Sequence, residues 1–219
     1  IAELEAQHDG ASAALSDATC VGLAIDEPIP FVVLRCALPE VDRTIVQASA
    51  GRDVEINEWF SQAGCDAIIF CRAGDRTPAS AEKETEPPDG FSWLDLEDIG
   101  PAIGSDFEVR IARSLSTPAG GSVPPESPVG NGAPKVVMPT SGTTGRPKAV
   151  EHRESSICAV ADQLANTLGL RPEDKLLHHM DIRRGAGFFL WAGILVGATN
   201  LVMPEVTSRD LPAALGATR

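Results

Sequence analysis

The sequence predicts an α/β protein with layered, parallel-type sheets joined by crossover helices. Two observations carry this. Between residues 21 and 72, short β-prone apolar runs alternate with segments whose apolar residues recur at helical spacing. The same alternation resumes at residue 135, after a stretch too rich in Pro, Gly, Ser and Glu to pack a core. With 219 residues and 43% hydrophobic composition, the chain can bury such a core without staples.

The elements follow in order. IAELEAQHDGASAAL (1–15) has Ile1, Leu4 and Leu15 among good helix formers. VGLAID (21–26) is a strand ending in an Asp-Glu-Pro turn, and PFVVLRCAL (30–38) is a helix with Pro at its start. TIVQAS (44–49) is strand-like. DVEINEWFSQAG (53–64) places Val54, Ile56, Trp59, Phe60 and Ala63 near helical spacing, with Asp53 as cap and Gly64 as stop. CDAIIFCR (65–72) is the next strand. Residues 73–134 form a Pro/Gly/Ser-rich connector, within which FSWLDLEDIG and FEVRIARSL each supply one short element. KVVMP (135–139) restarts the strands, and AVEHRESS reads as the entry to a helix. Ser155 or Ser156 would cap that helix, Ile157, Val160, Leu164 and Leu168 would line one face, and Gly169 and Pro172 would end it. KLLHHM is a strand, GFFLWAGILVG a buried helix and TNLVMP a further strand, after which SRDLPAALGATR begins another helix.

Charge and cysteines exclude several function classes. Thirty-one acidic against 18 basic residues give a formal net charge of -13, whereas nucleic acid and anionic membranes both require a basic footprint. Cys20, Cys36, Cys65, Cys71 and Cys158 are odd in number and contain no Cys-x-x-Cys pair, and most sit in or beside apolar runs. A disulfide framework or zinc site is not expected, and a cytoplasmic, reducing location fits. The longest apolar run, GAGFFLWAGILVGA, is too short to span a bilayer. The first residue is Ile, which suggests a start inside a larger protein.

The chemistry-bearing stretch is TSGTTGRPK (140–148). Wrapping a polyphosphate requires inward N–H groups, hence glycine where a Cβ would block approach. Ser141, Thr143 and Thr144 can donate from their hydroxyls, Lys148 adds a point charge, and Pro147 stiffens the exit. Gly142 and Gly145 stand too close together for the common nucleoside-triphosphatase loop, and Lys148 is followed by Ala149. The run S-G-T-T-G-x-P-K followed by V-x-H instead resembles the signature loop of the adenylate-forming superfamily. That superfamily comprises acyl-CoA synthetases, luciferases and the adenylation domains of nonribosomal peptide synthetases. IAELEAQ, VGLAIDEPIPFVVLRCAL, FSQAGCDAIIF and GILVGATNLVMP resemble further segments of the same family.

The resemblance implies that a carboxylic acid is activated by ATP and Mg2+ as an acyl-adenylate, with a carrier protein or coenzyme A as acceptor. Thr140, Ser141, Gly142, Thr143, Thr144, Gly145 and Lys148 would contact ATP, steadying the departing pyrophosphate. The sequence departs from the family pattern at Pro139, at Ala149 and most of all at HHMDIRRG, where the acid-binding motif should fall. Asp181 gripping an amine would imply an amino-acid substrate. Arg183 and Arg184 lining the pocket would imply an extra carboxylate on the substrate. The arginines as solvated loop residues are a third reading. Of His178 and His179, one is expected to pack and the other to face a pocket, and neither is expected to ligate metal. His152 matches a family histidine two residues after the loop's valine.

Residues 1–219 are thus expected to be the first part of an adenylate-forming N-terminal domain, carrying the phosphate loop but no catalytic residue of its own. The later Glu, Asp and Lys motifs have no counterpart in this stretch, so the fragment alone is expected to be inactive. The alternative is a catalytically silent adenylation-like module acting as a scaffold or interaction domain. A nucleotide-binding regulator is a third possibility.

Overall fold

The computed structural model describes residues 15, 17–25, 27–38, 43–48, 53–73, 87–93, 107–115, 135–139, 148–203, 212 and 216. All but Leu15 of the helix expected at 1–15, all but Pro212 and Gly216 of the one expected from Ser208, most of the 73–134 connector and residues 140–147 lie outside them. The chain divides into two compact units, Ile1–Glu151 and His152–Arg219.

The described elements of the first unit begin with β1 (Cys20–Ile25), α1 (Pro28–Ala37), β2 (Thr44–Gln47), α2 (Asp53–Gln62) and β3 (Ala67–Ala73). They continue with β4 (Phe91–Trp93), β5 (Phe107–Ser114), β6 (Lys135–Pro139) and β7 (Ala149–Arg153), whose last two residues enter the second unit. Among the described residues these seven strands form one sheet in the order β4-β5-β3-β1-β2-β6-β7. β1 pairs in parallel with both β2 and β3, and β2 with β6. β5 runs antiparallel to β3, and β4 antiparallel to β5. The predicted parallel α/β layer is therefore present, with an antiparallel edge drawn from the 73–134 stretch. α1 starts with Pro28 in its first turn, two residues before the expected Pro30.

A central parallel strand is covered on both faces, so its sequence reads as a continuous apolar run. CVGLAI of β1 meets this requirement, with Val21, Leu23 and Ile25 buried. α2 packs Trp59 and Phe60 into a core with Val46, Ala48, Cys65, Ile68, Phe91, Ala112 and Val137. Burying the Phe60 side chain contributes about 1.5–3 kcal/mol relative to leaving it exposed. The Trp59 indole donates to the Gln47 carbonyl at 2.9 Å, which satisfies the one polar atom that its burial would strand.

Asp66, immediately before β3, organises the head of the sheet. Its carboxylate accepts from Thr19 N and Thr19 Oγ1, both at 2.9 Å, and from Cys20 N at 3.3 Å. Its own N–H donates to Cys20 O at 3.0 Å, and its carbonyl accepts from Ser114 N at 3.0 Å. Nearby, the buried Arg43 donates from Nε to Ala18 O at 3.0 Å and from Nη2 to Leu15 O at 2.7 Å. Burial lowers this guanidinium below its ordinary value, opposed by Asp66 and Asp17 and reinforced by Arg113.

The second unit contains α3 (Glu154–Leu168), β8 (Lys175–His178), α4 (Gly187–Val196) and β9 (Thr199–Val202), with β8 and β9 paired in parallel. Three expectations are corrected here. AVEHR is strand rather than helix entry, and α3 starts at Glu154 with Arg153 at its N-cap and no side-chain cap from Ser155 or Ser156. The buried face of α3 is Ile157, Ala161 and Ala165, while Val160 and Leu168 are exposed. The cause is that Ala161, Ala165 and Ala192 of α4 form the helix–helix contact, with Leu164 and Trp191 at its margin, and small side chains permit that close approach. Finally, α4 is not wholly buried. Leu190, Ala192 and Gly193 face inward, but Phe189, Ile194 and Leu195 are exposed.

Packing of the first unit turns on Gly22, where a Cβ would stand 2.6 Å from the Phe60 ring. Gly22→Ala is expected to cost about 1–3 kcal/mol through overpacking. Denaturant unfolding of the single and double mutants checks the cause, since in a Phe60→Leu background the same substitution should cost distinctly less.

Candidate functional site

β6 ends at Pro139 and β7 begins at Ala149, so residues 140–148 join two neighbouring strands of the sheet. The expected strand-to-helix setting is corrected accordingly, because β7 intervenes before α3. Thr140, Ser141, Gly142, Thr143, Thr144 and Gly145 lie outside the described residues. Lys148 is described: it is exposed and stands immediately before β7 in the first unit. An ammonium on a flexible stem at that position has the chemistry to meet phosphoryl oxygens.

Asp181, Arg183 and Arg184 come together in the turn between β8 and α4. Asp181 Oδ1 accepts from Arg183 N at 3.0 Å and from Arg183 Nε at 2.6 Å. Arg184 Nε lies 3.7 Å from Asp181 Oδ2. The carboxylate thus holds its own turn and offsets one of the two neighbouring positive charges. It is engaged by guanidinium, which weakens the reading of Asp181 as a grip for a substrate amine. Arg183 is mostly covered, whereas Arg184 is about half exposed.

The turn is compact for a backbone reason. Arg184 N bonds Asp181 O at 3.3 Å, Gly187 N bonds Arg184 O at 2.8 Å, and Phe188 N bonds Gly185 O at 3.2 Å. At Gly187 a side chain would collide with the carbonyl oxygen of Ile182, so the chain enters α4 there only as glycine. Ile182, between the charged residues, is buried and anchors the turn.

The histidines divide as expected in one respect. His178 is buried and His179 is exposed. His178 Nε2 lies 2.7 Å from Asn200 Oδ1, a cross-strand pair between β8 and β9. Asn200 also donates from Nδ2 to Ala198 O at 3.3 Å and fits beneath Gly193, where a Cβ would stand 2.5 Å from its Oδ1. The sequence reading did not single out Asn200; an amide in the otherwise apolar TNLVMP strand was the available signal. His152, on β7, meets the Phe188 ring edge-on, with centroids 5.7 Å apart and planes at 73°. Among the described residues no group of three His, Cys, Asp or Glu side chains could hold a metal ion. Among them, too, no helix is long and apolar enough to cross a membrane.

Comparison with known proteins agrees with this architecture. The probable CoA ligase CCL8 of Humulus lupulus is 34% identical over 85 residues, 38% of this chain and 14% of that protein. The D-lysergyl-peptide-synthetase subunit 1 of Epichloe festucae var. lolii is 36% identical over 80 residues, 35% of this chain and 2% of its own length. The mitochondrial malonate–CoA ligase ACSF3 of Xenopus laevis is 35% identical over 72 residues, 32% of this chain and 12% of its length. In fold, the chain is similar to the inhibitor-bound N-terminal domain of FACL13 from Mycobacterium tuberculosis. The TM-score is 0.66 at 20% identity, over 99% of this chain and 53% of that one. The chain thus spans about half the length of this solved structure and a smaller share of the curated relatives. Because the family described as AMP-binding enzyme matches residues 2–218, nearly every position, the chain belongs to the AMP-binding enzymes.

Proposed function

We propose that this chain carries the ATP-holding part of an acid-activating enzyme, whose parent joins a carboxylic acid to AMP as an acyl-adenylate and releases pyrophosphate. The observation that carries the reading is the run SGTTGRPK, set between two strands of the sheet in a chain that matches AMP-binding enzymes from end to end. In this reading the glycines of the loop admit the phosphates, Ser141, Thr143 and Thr144 donate to their oxygens, and Lys148 opposes the charge of the departing pyrophosphate. Mg2+ enters with ATP, held largely by phosphate oxygens and water. The two CoA ligases among the relatives support coenzyme A as acyl acceptor, and the peptide synthetase keeps a carrier protein in view. Since the chain spans about half of the solved domain it resembles, the proposal assigns it the phosphate loop and part of the acid pocket rather than a whole active site.

For the acid, the engagement of Asp181 by Arg183 favours a substrate with a second carboxylate over an amino acid, because the turn carries net positive charge. The second reading, a catalytically silent scaffold, draws support from HHMDIRRG standing where activators of this family carry their acid-binding motif.

Calorimetry separates the two. The chain should bind ATP with Mg2+, and Lys148→Ala should weaken binding about tenfold to a hundredfold without changing the unfolding midpoint. Absence of ATP binding, or binding indifferent to Lys148, would leave the scaffold reading in place. For the turn, Asp181→Asn is expected to lower stability by about 1–2 kcal/mol in denaturant unfolding, because it takes the charge out of a hydrogen bond to a mostly covered guanidinium. A residue reserved for a substrate amine would leave stability unchanged.

A further inference from the structure

Cys20 and Cys65 lie 45 positions apart in sequence, yet their sulfurs stand 3.9 Å from each other. Cys20 opens β1, and Cys65 lies in the corner between α2 and β3. Parallel strands run about 4.8 Å apart, so residues one register step apart fall within the roughly 4.4–6.8 Å between Cα atoms that a disulfide spans. The corner is itself pinned. Cys65 N bonds Phe60 O at 3.0 Å, and Asp66 N bonds Cys20 O at 3.0 Å. From 3.9 Å the sulfurs must close to the roughly 2.05 Å of a disulfide.

We propose that Cys20 and Cys65 form a peroxide-responsive dithiol, closing into a disulfide that ties the head of β1 to the α2–β3 corner. Cys20 is partly exposed and Cys65 is buried, so a hydroperoxide meets Cys20 first. The Cys20 sulfur attacks the peroxide, takes one oxygen as a sulfenic acid and releases water or an alcohol. The Cys65 sulfur then displaces that oxygen as water, forming the S–S bond. Two thiols lose two electrons and two protons in all, and one peroxide is reduced. Burial, together with Cys20 and Asp66, raises the Cys65 thiol well above its ordinary value. That keeps the thiol protonated and slow toward any electrophile, while burial shields it from outside reagents and contact with Cys20 supplies the proximity that closure needs. Cys36 and Cys158 are exposed and serve as internal comparators.

The test treats the 219-residue chain with hydrogen peroxide, quenches with acid, unfolds it, alkylates every remaining thiol and maps peptides without reduction. The expected result is a Cys20–Cys65 linked peptide, two hydrogens lighter than its parts, that disappears on reduction with a dithiol. In Cys65→Ser no linked peptide should form and Cys20 should be recovered unlinked. Full alkylation of both Cys20 and Cys65 after peroxide, at doses that oxidise Cys36 and Cys158, would overturn the proposal. So would linkage of Cys20 to a different cysteine. The map of the unmutated chain decides the matter even where the variant fails to fold.

Discussion

The first unit hangs on a single carboxylate. Asp66 holds Thr19 and Cys20 with its side chain, Cys20 again with its N–H, and Ser114 with its carbonyl. Those bonds set the register of β3 on β1 and of β5 on β3 at the same point. Slippage by one residue would turn every buried side chain of a strand to the opposite face. Leu23, Ile25, Ile68, Ile69 and Ile111 are buried to within a few per cent only because that register is kept. Thr44 N adds β2 to the same corner through Thr19 O. The sheet is thus indexed at one end, and the apolar runs then pair outward from it.

What the sequence revealed, and what it hid, follows from how burial writes itself into composition. β1, β2 and β3 were legible because strands covered on both faces must be apolar throughout. β7 was not, since AVEHR is largely exposed along its length and offers no alternation to read. The buried face of α3 was misjudged for a related reason. Periodicity assigns weight to bulk, yet the contact with α4 is made by Ala161 and Ala165, whose small size permits the approach but gives no direction. Branched Val160 and Leu168 drew the reading to the wrong face.

The candidate site divides in the same way. The family could be read without coordinates, because SGTTGRPK is a run of consecutive residues whose spacing is itself the signal. The family match over residues 2–218 agrees with the family resemblance. The role of Asp181 could not be read so, because a carboxylate two residues before an arginine can serve a ligand or its own turn. Only the short bonds to Arg183 distinguish these. His178 poses the same problem: its doublet with His179 suggests a site, while its burial against Asn200 shows a cross-strand polar pair.

That pair has a consequence for which imidazole nitrogen is committed to Asn200. Asn200 gives its Nδ2 to Ala198 O, which turns its Oδ1 toward His178 and makes it an acceptor there. With Oδ1 accepting, Nε2 of His178 is the donor in this pair. A side chain at Gly193 would strike the Asn200 amide, so the packing of α4 on β9 fixes where that amide sits against His178. Nδ1 is the ring nitrogen that this pair does not use.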